Sequence, residues 1–300
     1  MHSALLGNAV RAATMIGLAM IAGGATKPPV DYIVRGDGVV PATVGGTPTR
    51  VRISPWAPAA PTLNPDFADR IGLHGGLFGF VVKVGTVKVK GQSSVTKLQF
   101  GTTAFRRRVV WFERPYVRGA DLAVGPGGLP VDIVRFQLRA PQPGERTVAL
   151  PLIQKLFQPT YARIQLGKRD ITILFDPAHE RTLATAGAGQ ALADALGGQL
   201  TGETGQAEIA FGINRPIRLM RLNAPLAIGP LNLSAIALRI SDNGSTGGIP
   251  DADADPDEIV VTARKSGDRR DVIIVGNDQL QRCSSIVFDK PAKQIRLTCR

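Results

Sequence analysis

The chain has 300 residues, with 34 Gly, 22 Pro and 5% aromatic residues. Many turn formers and few long apolar helical stretches favour short strands joined by turns, with a core of Val, Ile and Leu. The formal net charge is +12, but the Lys and Arg residues are scattered and no recognition motif accompanies them, which argues against nucleic acid as a partner. Such a basic surface is either simply solvated or attracted to anionic lipid or cell-wall polyanions. With only three His, we expect no metal site and no cofactor.

The first 25 residues have the parts of a secretory signal peptide. Arg11 supplies the positive charge, residues 12–22 form a short apolar run, and small residues follow at 22–25. This pattern predicts cleavage near Ala25 or Thr26. The sequence therefore predicts a signal peptide at 1–25 and a periplasmic or secreted protein, associated with the cell envelope. If the signal is not cleaved, the protein is membrane-anchored.

An internal repeat organises the rest of the chain. A strand pattern at 51–53 leads into Ser54, and a second strand pattern at 171–175 leads into Asp176. Helix-like stretches at 66–72 and 190–197 follow, and both end in Ala-Asp-x-(Ile/Leu)-Gly. Later blocks repeat in the same order, with an offset of 122 residues at Ser54, 128 at Gly101 and 151 at Gly125. An ordered set of blocks at a roughly constant offset indicates a duplicated domain.

The late jump in the offset places an insertion at about 243–270 in the second copy. Residues 249–258 are acidic and interrupted by Pro, so this tract is predicted to be a mobile loop that cannot fold alone. Residues 258–264 look like the short box by which outer-membrane transporters engage an energy-transducing protein. A short edge strand explains the same Val, Ile and Thr run.

The two cysteines, Cys283 and Cys299, flank a strand–turn–strand pattern centred on Pro291. A hairpin with this centre places the two cysteines opposite each other. In an oxidising compartment they would form a disulfide. Two buried free thiols are the alternative.

The order of the blocks resembles the aspartic peptidase superfamily, both pepsin-like and retropepsin-like. Residues 44–53 look like the entry hairpin of that family, and residues 63–65 look like its turn into the helix. Residues 123–125 and 274–276 look like its two hydrophobic-hydrophobic-Gly segments. The resemblance implies an all-β fold with two related acid-protease-like β-barrel lobes, each with a short helix. It places the lobes at 39–140 and 160–300, joined by a linker at 141–159.

The residues that carry the chemistry of this family are altered. Each lobe of an aspartic peptidase supplies an aspartate from an Asp-Thr-Gly loop, and the two carboxylates share one proton around a water. The first loop here reads Ser54-Pro55-Trp56 and the second reads Asp176-Pro177-Ala178. A serine hydroxyl cannot replace a carboxylate as base, and Trp56 stands where the family has glycine. We therefore predict that the peptidase chemistry is lost, with Asp176 as the one candidate catalytic residue.

The leading hypothesis is an inactive protein that binds an extended peptide or an envelope ligand in a cleft between the lobes. Ser54, Trp56 and His179 are predicted to line that cleft. A structural envelope protein without a functional cleft is a blander possibility. The sequence does not indicate an oligomeric state.

Two catalytic alternatives stay open. The first is an active aspartic endopeptidase of the cell envelope that uses Asp176 and a second carboxylate, for which Asp66 and Asp69 are the nearest candidates. The second is a nucleophilic set of Ser54, His179 and Asp176, although nothing around Ser54 resembles a strained nucleophile elbow.

Overall fold

The computed structural model describes residues 30–76, 79–241, 244–252 and 270–300. The predicted signal peptide at 1–25 lies outside the described residues, as do residues 253–269 of the predicted insertion, including the box at 258–264. Within the described ranges the chain forms nineteen strands, three short α-helices and one 3-10 turn. The predicted all-β class with β-barrel lobes is confirmed.

The elements follow one another in two series. The first half contains β1 (Asp31–Val34), β2 (Val39–Val44), β3 (Thr47–Ile53), β4 (Thr62–Leu63), α1 (Pro65–Arg70), β5 (Phe80–Val84), β6 (Val87–Phe100), β7 (Thr103–Phe112), β8 (Leu122–Val124), the 3-10 turn Pro126–Gly128 and β9 (Ile133–Gln137). The second half contains β10 (Arg146–Pro151), β11 (Ala162–Leu166), β12 (Arg169–Phe175), β13 (Leu183–Ala184), α2 (Ala186–Leu196), β14 (Gln199–Ala210), β15 (Ile213–Ile228), β16 (Leu231–Arg239), β17 (Val272–Val275), α3 (Asn277–Leu280), β18 (Cys283–Asp289) and β19 (Gln294–Cys299).

Two seven-stranded sheets share one topology. The first has the order β2-β3-β8-β4-β7-β6-β5, and the second has the order β11-β12-β17-β13-β16-β15-β14. In both sheets the third strand is parallel to the second and antiparallel to the fourth, which is itself parallel to the fifth. Each strand of one sheet therefore has a counterpart at the same place in the other. This shared order agrees with the duplication predicted from the sequence.

The two main helices occupy equivalent places after β4 and β13. Pro65 is the first residue of α1, and the Thr185 hydroxyl accepts a hydrogen bond from Ala188 N (3.3 Å) at the start of α2. This cap explains why α2 begins four residues earlier than the sequence pattern predicts. Beyond each helix, Gly72 and Gly197 adopt a left-handed φ of 64°, as the shared Ala-Asp-x-x-Gly ending predicts.

A third sheet joins the two halves in the order β1-β9-β18-β19-β10. It takes β9 from the predicted first lobe, β18 and β19 from the predicted second lobe, and β10 from the segment predicted as a linker. The predicted linker at 141–159 therefore contributes a strand. Within this sheet Cys283 is paired with Cys299, their Cα atoms are 3.8 Å apart, and the two form a disulfide as predicted.

Candidate functional site

Ser54 and Asp176 begin equivalent loops at the ends of β3 and β12. Ser54 N donates to Val124 O (3.1 Å), and Asp176 N donates to Val275 O (2.9 Å). The acceptors are the last residues of the equivalent strands β8 and β17. Each loop has a second hydrogen bond of 3.1 Å, in which the amide three positions later donates to the carbonyl oxygen of the first residue. The main chain of the two loops is therefore built alike.

The side chains of the two residues make the same local contact. Ser54 Oγ accepts a hydrogen bond from Trp56 N (3.3 Å), and Asp176 Oδ1 accepts one from Ala178 N (3.1 Å). A side-chain oxygen that binds the amide two residues later is a standard way to stabilise such a turn. The serine thus preserves the fold of the loop without supplying a carboxylate.

Asp176 lies in an environment that disfavours its charge. The residue is 8% exposed, and burial raises the pKa of its carboxyl. The hydrogen bond from Ala178 N, the charge of His179 and a backbone hydrogen bond with His179 partly oppose this effect. Burial of the hydroxyl also raises the pKa of Tyr116, with a smaller contribution from the negative charge of Asp176. Asp176 and Tyr116 therefore lie close enough for their charges to interact.

The imidazole of His179 is engaged by the main chain on both sides. Its Nδ1 lies 2.8 Å from Arg181 O and 3.3 Å from Arg181 N, and its Nε2 lies 3.1 Å from Glu208 O in β14. Among the described residues, no hydrogen bond links this imidazole to Ser54 or to the Asp176 carboxylate. The arrangement lacks the contacts that a nucleophile–base–carboxylate set requires.

The two carboxylates proposed as partners for Asp176 lie elsewhere. Asp66 and Asp69 are both exposed on α1. Neither of them contributes to the shifted pKa of Asp176. Because Asp66 and Asp69 are exposed, neither shares the buried environment of Asp176.

A cavity of about 1000 Å³ lies between the two seven-stranded sheets. Its wall includes residues of both lobes and of the segment 155–159. Of the three residues predicted to line a cleft, Trp56 belongs to the described wall, whereas Ser54 and His179 do not. Most of the wall is apolar, and its first-lobe side contains the aromatic residues Phe80, Phe112 and Tyr116.

Each lobe has an aromatic side chain that packs against the other lobe beside this cavity. Trp56 of the first lobe packs against an apolar cluster of the second lobe that includes Leu174, Leu183 and Ile274. In the opposite direction, Phe211 of the second lobe belongs to a cluster built on the first-lobe sheet. The two lobes therefore hold each other through large apolar side chains.

Phe211 reaches the first lobe because it sits at the tip of the β14–β15 hairpin. Phe211 and Gly212 have φ angles of 58° and 71°, as the two central residues of a type I′ turn require. A positive φ at a bulky residue is costly. The ring packs edge-on against Phe112 (4.7 Å between centroids) and Tyr116 (5.5 Å), and this packing offsets the cost.

A loop from the inter-lobe segment covers another side of the cavity. Ile153 and Tyr161 close the loop through two main-chain hydrogen bonds of 2.8 and 3.0 Å, and Ala60 N donates to Leu156 O (2.7 Å). Phe157 at the tip is 58% exposed, and its ring lies 6.4 Å from that of Phe80. Phe157 therefore presents an apolar surface both to solvent and to the cavity that it lines.

Asn64 positions the loop that carries Tyr116. Its side-chain amide donates to Val117 O (2.7 Å) and Ala120 O (3.0 Å), and Oδ1 accepts from the amides of Tyr116 (2.8 Å) and Val117 (3.1 Å). The sequence reasoning identified neither Tyr116 nor Phe211. The Phe-Gly pair between two long alternating strands is a signal that could have identified the hairpin tip.

Comparison with protein-family models and with curated proteins finds no match to this chain. Among the described residues, no helix is long and apolar enough to span a membrane.

Proposed function

We propose that this protein is an exported, catalytically inactive relative of the two-lobed aspartic peptidases that binds an extended peptide in the cavity between its lobes. The observation that supports the proposal is that Ser54 and Asp176 occupy equivalent positions at the ends of β3 and β12. A carboxylate and a hydroxyl cannot share a proton as two carboxylates do. Compared with an aspartic peptidase, the proposed relative keeps both loops but has only one of the two carboxylates. This favours binding of a peptide over its hydrolysis.

The form of the cavity supports an extended peptide as the ligand. The strands β5 and β14 stand at the ends of the two seven-stranded sheets, and residues of both line the cavity. Strands at a sheet edge can offer main-chain hydrogen bonds to an added strand. Phe80, Val82 and Val84 alternate along β5 and all contribute to the wall. A peptide laid beside such a strand would place alternate side chains against an apolar surface.

The fluorescence of Trp56 provides the test. The chain has two tryptophans, and Trp111 is 8% exposed in the main core. In the variant Trp111→Phe, Trp56 is the only tryptophan. We expect its emission to change saturably when extended apolar peptides are added, and we expect mass spectrometry to recover those peptides intact. The matched variant Trp56→Phe, which keeps Trp111, should show no such change. A flat signal with a varied set of extended peptides would overturn the proposal.

One observation favours the alternative of an active peptidase. Burial raises the pKa of Asp176, and a raised carboxyl pKa is typical of one member of a catalytic dyad. Activity would then need a second carboxylate, and neither Asp66 nor Asp69 shares the buried environment of Asp176. Peptide cleavage abolished by Asp176→Asn would establish this alternative.

A further inference from the structure

The cavity has two ends of different chemistry. The aromatic end contains Trp56, Phe112 and Tyr116. The polar end is formed by the second lobe and contains Arg163 of β11, Asp170 and Thr172 of β12, and Arg270 before β17. Thr172 lies between its register partners Arg163 and Val272, so these residues belong to adjacent strands of one sheet face. A ligand that fills the cavity therefore meets an apolar surface and a charged surface.

The distance between the two ends follows from the spacing of residues along β12. Asp170, Thr172 and Leu174 alternate along it and all line the cavity, and Leu174 belongs to the cluster that holds Trp56. Four residues of extended strand cover roughly 13 Å. An extended peptide that lies across the face of this sheet, parallel to β12, thus spans the two ends in about four residues.

The charge of the wall is mostly positive. Among the described residues, five cationic and two acidic side chains line the cavity: Lys83, Lys155, Arg163, Arg239 and Arg270, and Asp170 and Asp271. Inside a partly desolvated cavity, attraction to an opposite charge is stronger than in water. A carboxylate is the ligand group that this wall favours, because a guanidinium can bind it through two parallel hydrogen bonds.

Arg163 is the cation that the strand register places directly beside Thr172 of β12. Its guanidinium is 3.5 Å from Asp170 Oδ2, at the long limit of a hydrogen bond, and its side chain is 44% exposed. A weak contact with Asp170 leaves donor groups of the guanidinium available to a second carboxylate.

We infer that the peptide recognised by this cavity carries a carboxylate about four residues from an apolar anchor, with the anchor at the aromatic end and the carboxylate at Arg163. This inference rests on the proposed function and adds the class of peptide. It follows from the spacing of the two ends and from the excess of positive charge.

The experiment uses the Trp111→Phe protein and synthetic peptides with one Phe anchor. The peptides carry Asp four residues from the anchor, Asn at that position, or Asp two residues from the anchor. We expect the first peptide to bind about tenfold more tightly than the other two, the effect of one charge-assisted hydrogen bond. Added salt should reduce the preference.

Two arginine variants test whether Arg163 causes the preference for the Asp peptide. Arg163→Gln should abolish the preference for Asp over Asn while the Asn peptide still binds. Arg106→Gln, at an exposed position of β7 away from the described cavity wall, should retain it. Equal binding of the Asp and Asn peptides to the unaltered site would overturn the inference and leave the proposed function standing. Failure of every peptide to bind would overturn both.

Discussion

The ring of Phe211, at the tip of the β14–β15 hairpin, lies 4.7 Å from the ring of Phe112 on the first-lobe sheet. This contact closes one side of the cavity with a side chain from the opposite lobe. Trp56 makes the reverse crossing, from the first-lobe loop to the second-lobe sheet. Each lobe therefore contributes a side chain that packs on the other lobe beside the cavity. The shape of the cavity depends on these two side chains, Phe211 and Trp56.

Removing the Phe211 ring should loosen this closure. We expect Phe211→Ala to lower the free energy of unfolding by about 3 kcal/mol, as buried Phe-to-Ala changes do. Urea denaturation measures the change. Phe157→Ala removes the same ring from a site that is 58% exposed and should cost well under 1 kcal/mol. Equal costs for the two variants would show that Phe211 is not an anchor.

The amide of Asn64 should be a second determinant of stability. Its four hydrogen bonds satisfy main-chain groups of the loop that carries Tyr116, and the residue is 8% exposed. Asn64→Ala leaves buried donors and acceptors unpaired, at a cost of about 2–3 kcal/mol. Chemical denaturation tests this, with the exposed Asn232→Ala as the matched control. If both variants unfold at the wild-type midpoint, the loop does not depend on Asn64.

The disulfide should stabilise the third sheet. Cys283 and Cys299 are 16 residues apart, and a loop of this size is stabilised by roughly 3 kcal/mol in the chain-entropy model. We expect dithiothreitol to lower the urea midpoint of the wild-type protein. A double variant, Cys283→Ser with Cys299→Ser, should already have the lower midpoint and should not respond to the reductant. A wild-type midpoint that is insensitive to reduction would contradict this account.

The titration of Asp176 should make the free energy of unfolding depend on pH. Because burial raises the pKa of Asp176 in the folded protein, the folded state holds this proton more tightly than the unfolded chain does. The free energy of unfolding therefore falls as the pH rises from about 4, the unfolded pKa of Asp, through the folded pKa. Asp176→Asn has no such proton.

We accordingly expect Asp176→Asn to gain stability relative to wild type as the pH rises through this window. Asn can still accept the hydrogen bond from Ala178 N, so the loop should remain intact. Urea denaturation at about pH 3.5 and pH 7 measures the difference between the two proteins. A difference that does not grow with pH would show that burial leaves this carboxyl unaffected.

The sequence predicted the elements that depend on local pattern. The strand ends before Ser54 and Asp176, the glycines after both main helices and the hairpin of the disulfide follow from alternation and turn residues. Tyr116 was not predictable in this way, because Asn64 holds it across 52 residues of chain. The third sheet was missed for the same reason, since β10 pairs with β19, which lies far away in the sequence.

The cleft residues illustrate the same limit. Trp56 was recognised because a tryptophan at the position of a loop glycine is locally conspicuous. Phe211 was not, because nothing near it in the chain indicates that the hairpin tip packs on the other lobe. Ser54 and His179 were expected in the cleft from their neighbours in sequence, yet their polar atoms bind the main chain of their own loop and of β14.

The most direct test of the proposed loss of peptidase activity is peptide hydrolysis by the purified protein, followed by mass spectrometry between about pH 3 and pH 7. We predict that extended peptides remain intact, because a hydroxyl in the loop equivalent to that of Asp176 forfeits the roughly 10²–10⁴-fold contribution of general acid–base catalysis. If the proposed relationship to aspartic peptidases holds, Ser54→Asp alone should not restore cleavage, since Trp56 and Pro177 would still stand where that family has glycine and threonine. Robust cleavage by the unaltered protein that disappears in Asp176→Asn would contradict the account and identify an active peptidase.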